Sequence, residues 1–284
     1  FVKNKAVDRM IEEFEKIHAE VRFDAIVIGG GELLHNSEIK FTNIQGETIS
    51  CRNGRIWKYP VEMGKKHRIK VLVNSVGMPC GISRDDREVL AGLDYVSFRD
   101  RYSFYRFCGA RRIPAGHVVP DSLWNLDDYF PVITDGTALR AARRIIPLEE
   151  GEEYAVLQMG TLDNWPAVYE CTSGYCKKAR LKLVVMAVNW CHDDRIVVRE
   201  AAKLENEGCI VLDRLLSMEE IITVIAGASV FVGTSLHGTL TACLGGTRTA
   251  VYNMYSHFVS KMDGLADWLG VRDLLADTPE QLAE

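Results

Sequence analysis

The sequence predicts an α/β protein made of two doubly wound, Rossmann-like domains facing a cleft. Three observations carry this. Short apolar runs such as Ala25-Ile-Val-Ile28, Val71-Leu-Val73 and Val230-Phe-Val232 recur along the chain, separated by helix-length segments. Strands without polar alternation are buried on both faces, and intervening helices supply the crossovers of parallel sheets. Several runs end in small-residue turns, at Gly29-Gly30-Gly31, Ser75-Val76-Gly77 and Thr234–Gly238. The rhythm also occurs twice, which places the domains at residues 1–133 and 134–284.

Apolar residues at Ala6, Val7, Met10, Ile11, Phe14 and Ile17 have helical spacing, so the chain opens on an amphipathic helix. Asp24–Ile28 reads as a buried strand running into the glycine turn. Residues 36–60 are polar and irregular, and read as a long loop. Lys70–Asn74 is a strand, Ser83 starts a helix with Asp86 three residues on, and Tyr95–Phe98 is a strand. Asp100 caps a helix that stops at Gly109. His117–Val119 is a strand, and the stretch to Thr134 a crossover. In the second half we expect strands at Tyr154–Leu157, Leu183–Val188, Cys209–Leu212, Val230–Val232 and Thr249–Tyr252. Helices fall at 193–207, from Ser217 with its capping box, at Leu236–Leu244 and at Lys261–Leu269.

The chain has 284 residues, 47% apolar and 26% charged, with a formal net charge of −5. That is the composition of a globular protein with a sizeable core. A negative balance argues against general nucleic-acid or anionic-membrane binding. No apolar run reaches transmembrane length, and no signal-peptide pattern opens the chain. The start at Phe1 rather than Met leads us to expect preceding residues. Eight scattered cysteines without a CxxC fit reduced thiols in a cytoplasmic protein better than a disulfide framework. Cys171, Cys176, Cys191 and His192 match no standard zinc spacing, so we expect no metal and no cofactor.

The strongest chemical candidate is His237. It lies at a strand-to-helix turn, where a proton carrier stands beside backbone amides that favour an anion. Ser235, Leu236, Gly238 and Thr239 surround it, and a structural histidine serving only its loop is the rival reading. Gly29-Gly30-Gly31 lacks the third glycine of a dinucleotide fingerprint, since position 34 is leucine. It serves either close approach of a ligand to backbone amides or a tight turn alone. Arg99, at a strand end, suits a phosphate or carboxylate, or pairs with a carboxylate such as Asp121. Arg106, Arg111 and Arg112 read as a solvated helix face. His192 and Asp194 follow another strand and would face the cleft, and His35 is the best placed of the remaining histidines.

In order, the segments DAIVIGGG, NSVGMP, VSFRDRYS, VVPDSLW and GASVFVGTSLHGTLTACLGG resemble the polysaccharide pyruvyl transferase family, over roughly Asp24 to Asn253. The resemblance implies a fold like the two-domain glycosyltransferases of the B type. It also implies transfer of the enolpyruvyl unit of phosphoenolpyruvate to a sugar of a surface glycan or its precursor, giving a pyruvate ketal. His237 would be the catalytic histidine, with Leu236 contacting the donor, Ser235, Gly238 and Thr239 completing the donor pocket, and Arg99 and Gly29–Gly31 on the opposing wall. The chain departs from the family pattern at two places. Ser235 stands where many members carry a basic residue, and Gln158-Met159-Gly160 where many carry an arginine that grips the donor. The family's opening strand and its Asn-Gly-Asp-like loop are also not seen before Phe1. Two alternatives therefore stand beside this reading, a glycosyltransferase using a nucleotide-sugar and a non-catalytic glycan- or partner-binding member. Neither the acceptor sugar nor the oligomeric state is legible.

Overall fold

The computed structural model describes residues 5–42, 48–52, 54–109, 116–190, 194–204, 208–254 and 259–283. The chain divides into two compact units, Phe1–Phe41 with Glu47–Ser122, and Thr42–Gly46 with Leu123–Glu284.

In the first unit, helix α1 (Lys5–Glu20) precedes strand β1 (Ala25–Gly29). A two-stranded pair, β2 (Glu38–Thr42) and β3 (Thr48–Arg52), leads to α2 (Gly54–His67) and β4 (Lys70–Val76). Then come α3 (Arg84–Ala91), β5 (Tyr95–Phe98), α4 (Arg101–Cys108) and β6 (Gly116–Val118). The sheet order is β1-β4-β5-β6, and every pair is parallel. Its core includes Val71, Val73, Val96, Phe98 and Phe107.

Two expectations change here. Strand β1 was expected to be buried, but it lies at the edge of the sheet with Val27 64% exposed. The stretch 36–60 was expected to be a loop, but holds β2, β3 and the start of α2. Pro60 reads as a helix breaker, yet it sits inside α2. Burial of Trp57 and Val61, one turn apart, in the same core outweighs that local signal.

The second unit begins with short helical turns, a 3-10 turn at Ser122–Asn125, α5 (Leu126–Tyr129) and a second 3-10 turn at Pro131–Ile133. After α6 (Ala138–Ala142) come β7 (Tyr154–Gln158), α7 (Trp165–Ala179), β8 (Lys182–Val185) and α8 (Asp194–Ala202). These are followed by β9 (Cys209–Val211), α9 (Met218–Ala226), β10 (Val230–Gly233), α10 (Leu236–Leu244), β11 (Arg248–Tyr252), α11 (Lys261–Leu269) and β12 (Leu275–Ala276). The sheet order is β12-β11-β10-β7-β8-β9, with every pair parallel. Counted from β7, this is the doubly wound order 3-2-1-4-5-6, which reverses between β7 and β10.

The units part at Ser122 rather than at the expected 133/134. Leu123 and Trp124 pack against Leu236 and Leu240, while Leu126 and Ile133 pack with Ile222, so the crossover belongs to the second core. Strand β8 ends at Val185 and α8 at Ala202, short of the expected ends at 188 and 207. The expected helix start at Asp193, the stretch 205–207, Arg111 and Arg112 lie outside the described residues.

Candidate active site

In the second unit the polar residues gather at the carboxyl ends of β7, β8 and β10, beside the sheet's reversal point. Doubly wound sheets bind ligands at that point. Strand β7 ends at Gln158, which is 1% exposed. Its Oε1 accepts hydrogen bonds from the backbone N–H groups of Thr234 (3.1 Å) and Ser235 (2.9 Å). Its Nε2 donates to Asp194 Oδ2 at 2.8 Å. The same oxygen accepts from the N–H groups of Val188 and Asn189, each at 3.0 Å. Thr234 Oγ1 accepts from Gly160 N at 2.9 Å. One carboxylate and one amide thus tie three strand ends together, and charged acceptors make the stronger bonds.

Helix α10 starts from this bracket. Ser235 is its N-cap, with Oγ accepting from Gly238 N at 3.2 Å. Thr239 turns its hydroxyl back onto Ser235 O at 2.8 Å and is 1% exposed. Leu236 is buried in the core with Leu240, Val251 and Met262. Gly238 is glycine for packing, because a Cβ there would stand 2.8 Å from Cζ of Phe231. His237 is half-buried in the first turn, and its carbonyl accepts from Thr241 Oγ1 at 2.8 Å.

Ser235, Leu236, Gly238 and Thr239 were expected to line a donor pocket. Ser235 caps the helix, while Leu236, Gly238 and Thr239 face inward or pack against Phe231, which leaves His237 as the turn's half-buried titratable group. Gln158, at the position of the family's donor-gripping arginine, was expected among the substrate contacts, and Asp194 was expected to face the cleft. Both are buried because each meets complementary backbone and side-chain partners. His192 lies outside the described residues. Cys176 sits in the core, and burial pushes its thiol up to about 11, far from the thiolate a metal needs. Among the described residues no three His, Cys, Asp or Glu side chains group as a metal site.

In the first unit Gly30 and Gly31 both have left-handed backbones, with φ of 76° and 65°. Gly31 O accepts from Gly77 N at 2.8 Å. Arg99, 4% exposed, follows β5 and stands among three carboxylates. These are Glu32 Oε1 at 3.6 Å, Asp121 Oδ2 at 3.7 Å and Asp100 Oδ2 at 3.8 Å. Its guanidinium lies against Gly77, where a Cβ would come within 2.7 Å of Nη2. The pairing with Asp121 that the sequence offered as the structural alternative is present. Asp100 caps α4, with Oδ1 accepting from Ser103 N at 2.7 Å. Arg106, expected on a solvated face, donates to Met78 O at 2.9 Å. His35 is nearly buried, its Nδ1 accepting from Ser37 N at 3.3 Å, and burial lowers its pKa against the opposing pull of Glu32.

Solved structures with the same architecture define the class first. UDP-GlcNAc 2-epimerase from Methanocaldococcus jannaschii is similar at 11% identity with a TM-score of 0.61, over 99% of this chain and 74% of that one. The Neisseria meningitidis UDP-GlcNAc 2-epimerase bound to UDP-GlcNAc is similar at 8% identity and TM-score 0.61, over 100% and 73%. A UDP-forming trehalose-phosphate synthase from Burkholderia xenovorans is similar at 12% identity and TM-score 0.50, over 81% and 68%. The fold is thus the two-Rossmann-domain type shared with B-type glycosyltransferases. A search of curated proteins finds no match. The profile of one family, polysaccharide pyruvyl transferase, matches residues 3–257. The chain belongs to that family, a family of transferases acting on sugar acceptors. Among the described residues, no helix is long and apolar enough to cross a membrane.

Proposed function

We propose that the protein transfers the pyruvyl group of phosphoenolpyruvate to two hydroxyls of a sugar in a surface glycan or its precursor, with His237 carrying the proton. The observation behind this reading is the place of His237. It stands half-buried in the first turn of α10, at the sheet's reversal point, while its neighbours hold the backbone. The reaction needs such a group. One sugar hydroxyl adds to the enol carbon of the donor while the adjacent CH2 carbon takes a proton and becomes methyl. The second hydroxyl then replaces the phosphate, whose C–O bond breaks, and its proton leaves with the phosphate. Two C–O bonds and one C–H bond form, and no oxidant is consumed. An imidazole that exchanges protons near neutral pH serves both transfers.

The test is His237→Ala, assayed for phosphate release from phosphoenolpyruvate with a sugar acceptor. Turnover should fall by about 10²- to 10⁴-fold with Tm unchanged. A variant with full turnover removes His237 from the chemistry.

One observation favours a second donor. Gln158 and Ser235 stand where many family members carry cations, and both are engaged internally here. A nucleotide-sugar donor is the reading to weigh against phosphoenolpyruvate. Thermal shift separates them, because a donor bound by the folded state raises Tm with its concentration. Stabilisation by UDP-sugars and not by phosphoenolpyruvate would favour the second.

A further inference from the structure

We infer that Gln158 and Asp194 are positioning residues for His237, and that glutamine is the residue at 158 that satisfies both sides of this bracket. The inference rests on the reading of His237 as proton carrier. Gln158 Oε1 can only accept, and it meets two donors, the N–H groups of Thr234 and Ser235. Nε2 can only donate, and it meets a carboxylate oxygen. The reversed amide would set NH2 against two N–H donors and oxygen against oxygen, so the network assigns its orientation. Both side chains are buried, Gln158 at 1% and Asp194 at 4% exposure. Ser235, held by this amide, is also the cap of α10, and His237 follows two residues later. A movement of the Thr234-Ser235 peptide therefore carries the helix start and the imidazole with it.

The bracket is also chemically selective. Lysine or arginine at 158 would direct donors at the two N–H groups. Glutamate would face Asp194 with a second carboxylate, unless the pair keeps one proton. With that proton its O–H replaces the Nε2–H donor and its other oxygen accepts from Thr234 and Ser235, so protonated glutamate mimics glutamine. Like charges this close raise the second ionisation of such a pair. Gln158→Glu should thus hold the turn at low pH and release it as pH rises through that ionisation. Gln158→Met keeps the length and loses both functions.

The experiment measures kcat, KM and Tm for both variants across pH, with ¹⁵N-histidine NMR of the unliganded protein. The His237 signals are assigned by their loss in His237→Ala. Gln158→Met should lose about tenfold to a hundredfold in kcat, with KM within about twofold, while remaining folded. Gln158→Glu should approach wild-type kcat at the acid end and fall with rising pH along a limb the wild type lacks. The His237 resonances should shift or broaden in step. If Gln158→Met fails to fold, Asp194→Asn, which keeps an acceptor and loses the charge, is read by the same resonances. Unchanged His237 signals in Gln158→Met, or in Asp194→Asn where that variant replaces it, overturn the inference. So does a kcat deficit that is present in Gln158→Glu at every pH. Normal turnover by His237→Ala would overturn the proton-carrier reading alone, because the resonances report positioning whatever the reaction.

Discussion

The turns at Gly29–Gly31 and Gly233–Gly238 both follow a parallel strand, one in each unit, but glycine serves them differently. The first leaves an edge strand, and a Cβ at Gly30 would meet nothing within 4 Å. Its glycines answer to backbone conformation, with φ above 60° at two successive residues. The second leaves a strand set between β7 and β11. Cβ atoms at Gly233 and Gly238 would stand 2.5 Å and 2.8 Å from Cζ of Phe231. Bracing differs too. Beside the first turn a guanidinium sits among carboxylates, and behind the second an amide joins two N–H groups to one carboxylate. A central strand has neighbours on both sides, so its turn can be held from several directions at once. That is the setting in which a side chain on the turn can be fixed closely.

Breaking the charged brace should have the largest effect on stability. Arg99→Met removes the guanidinium from beside two buried carboxylates, Asp100 and Asp121, and should cost about 3–5 kcal/mol, read by urea unfolding. A cost below 1 kcal/mol would mean the brace is not electrostatic. Gly238→Ala pushes a methyl group onto Phe231 and should cost about 1–3 kcal/mol. It should also lower turnover, because helix α10 must shift to admit it. Gly31→Ala would bring a Cβ to 3.8 Å from Leu33 Cδ2, an ordinary contact, but on a left-handed backbone, and should cost about 1–2 kcal/mol in the same unfolding assay.

The smallest effect concerns His35, the histidine that follows the first turn. Burial holds the folded-state pKa of His35 below its ordinary value near 6.5. The unfolded chain therefore takes up the proton first, and stability falls as pH drops below about 6.5 until the folded value is passed. His35→Gln should remove that acid limb from the urea midpoint measured between pH 5 and 7.

The elements most legible in the sequence were those written in short-range hydrogen bonds. Ser83, Asp100 and Ser217 cap their helices through residues three positions on, and α10 has the bounds its pattern implied. Helix α7 went unread. Its buried face of Trp165, Val168, Tyr169, Thr172 and Cys176 is periodic once Thr172 counts as interior, and Thr172 can be interior because its hydroxyl bonds Val168 O. The site divided in the same way. His237 was read as a candidate from its local context, but the bracket made by Gln158 was not, since its partners lie 36, 76 and 77 residues away.

The sequence by itself determined the α/β class, the two-unit organisation, the family and the turn that carries the histidine, because apolar period, caps and glycine turns are encoded within a few consecutive residues. Only the tertiary structure decided which residues of that turn are scaffold, that β1 is an edge and that Gln158 and Asp194 stand behind it. Those roles depend on which distant donor meets which acceptor once water is excluded, and chain-distant pairing leaves no local pattern to read.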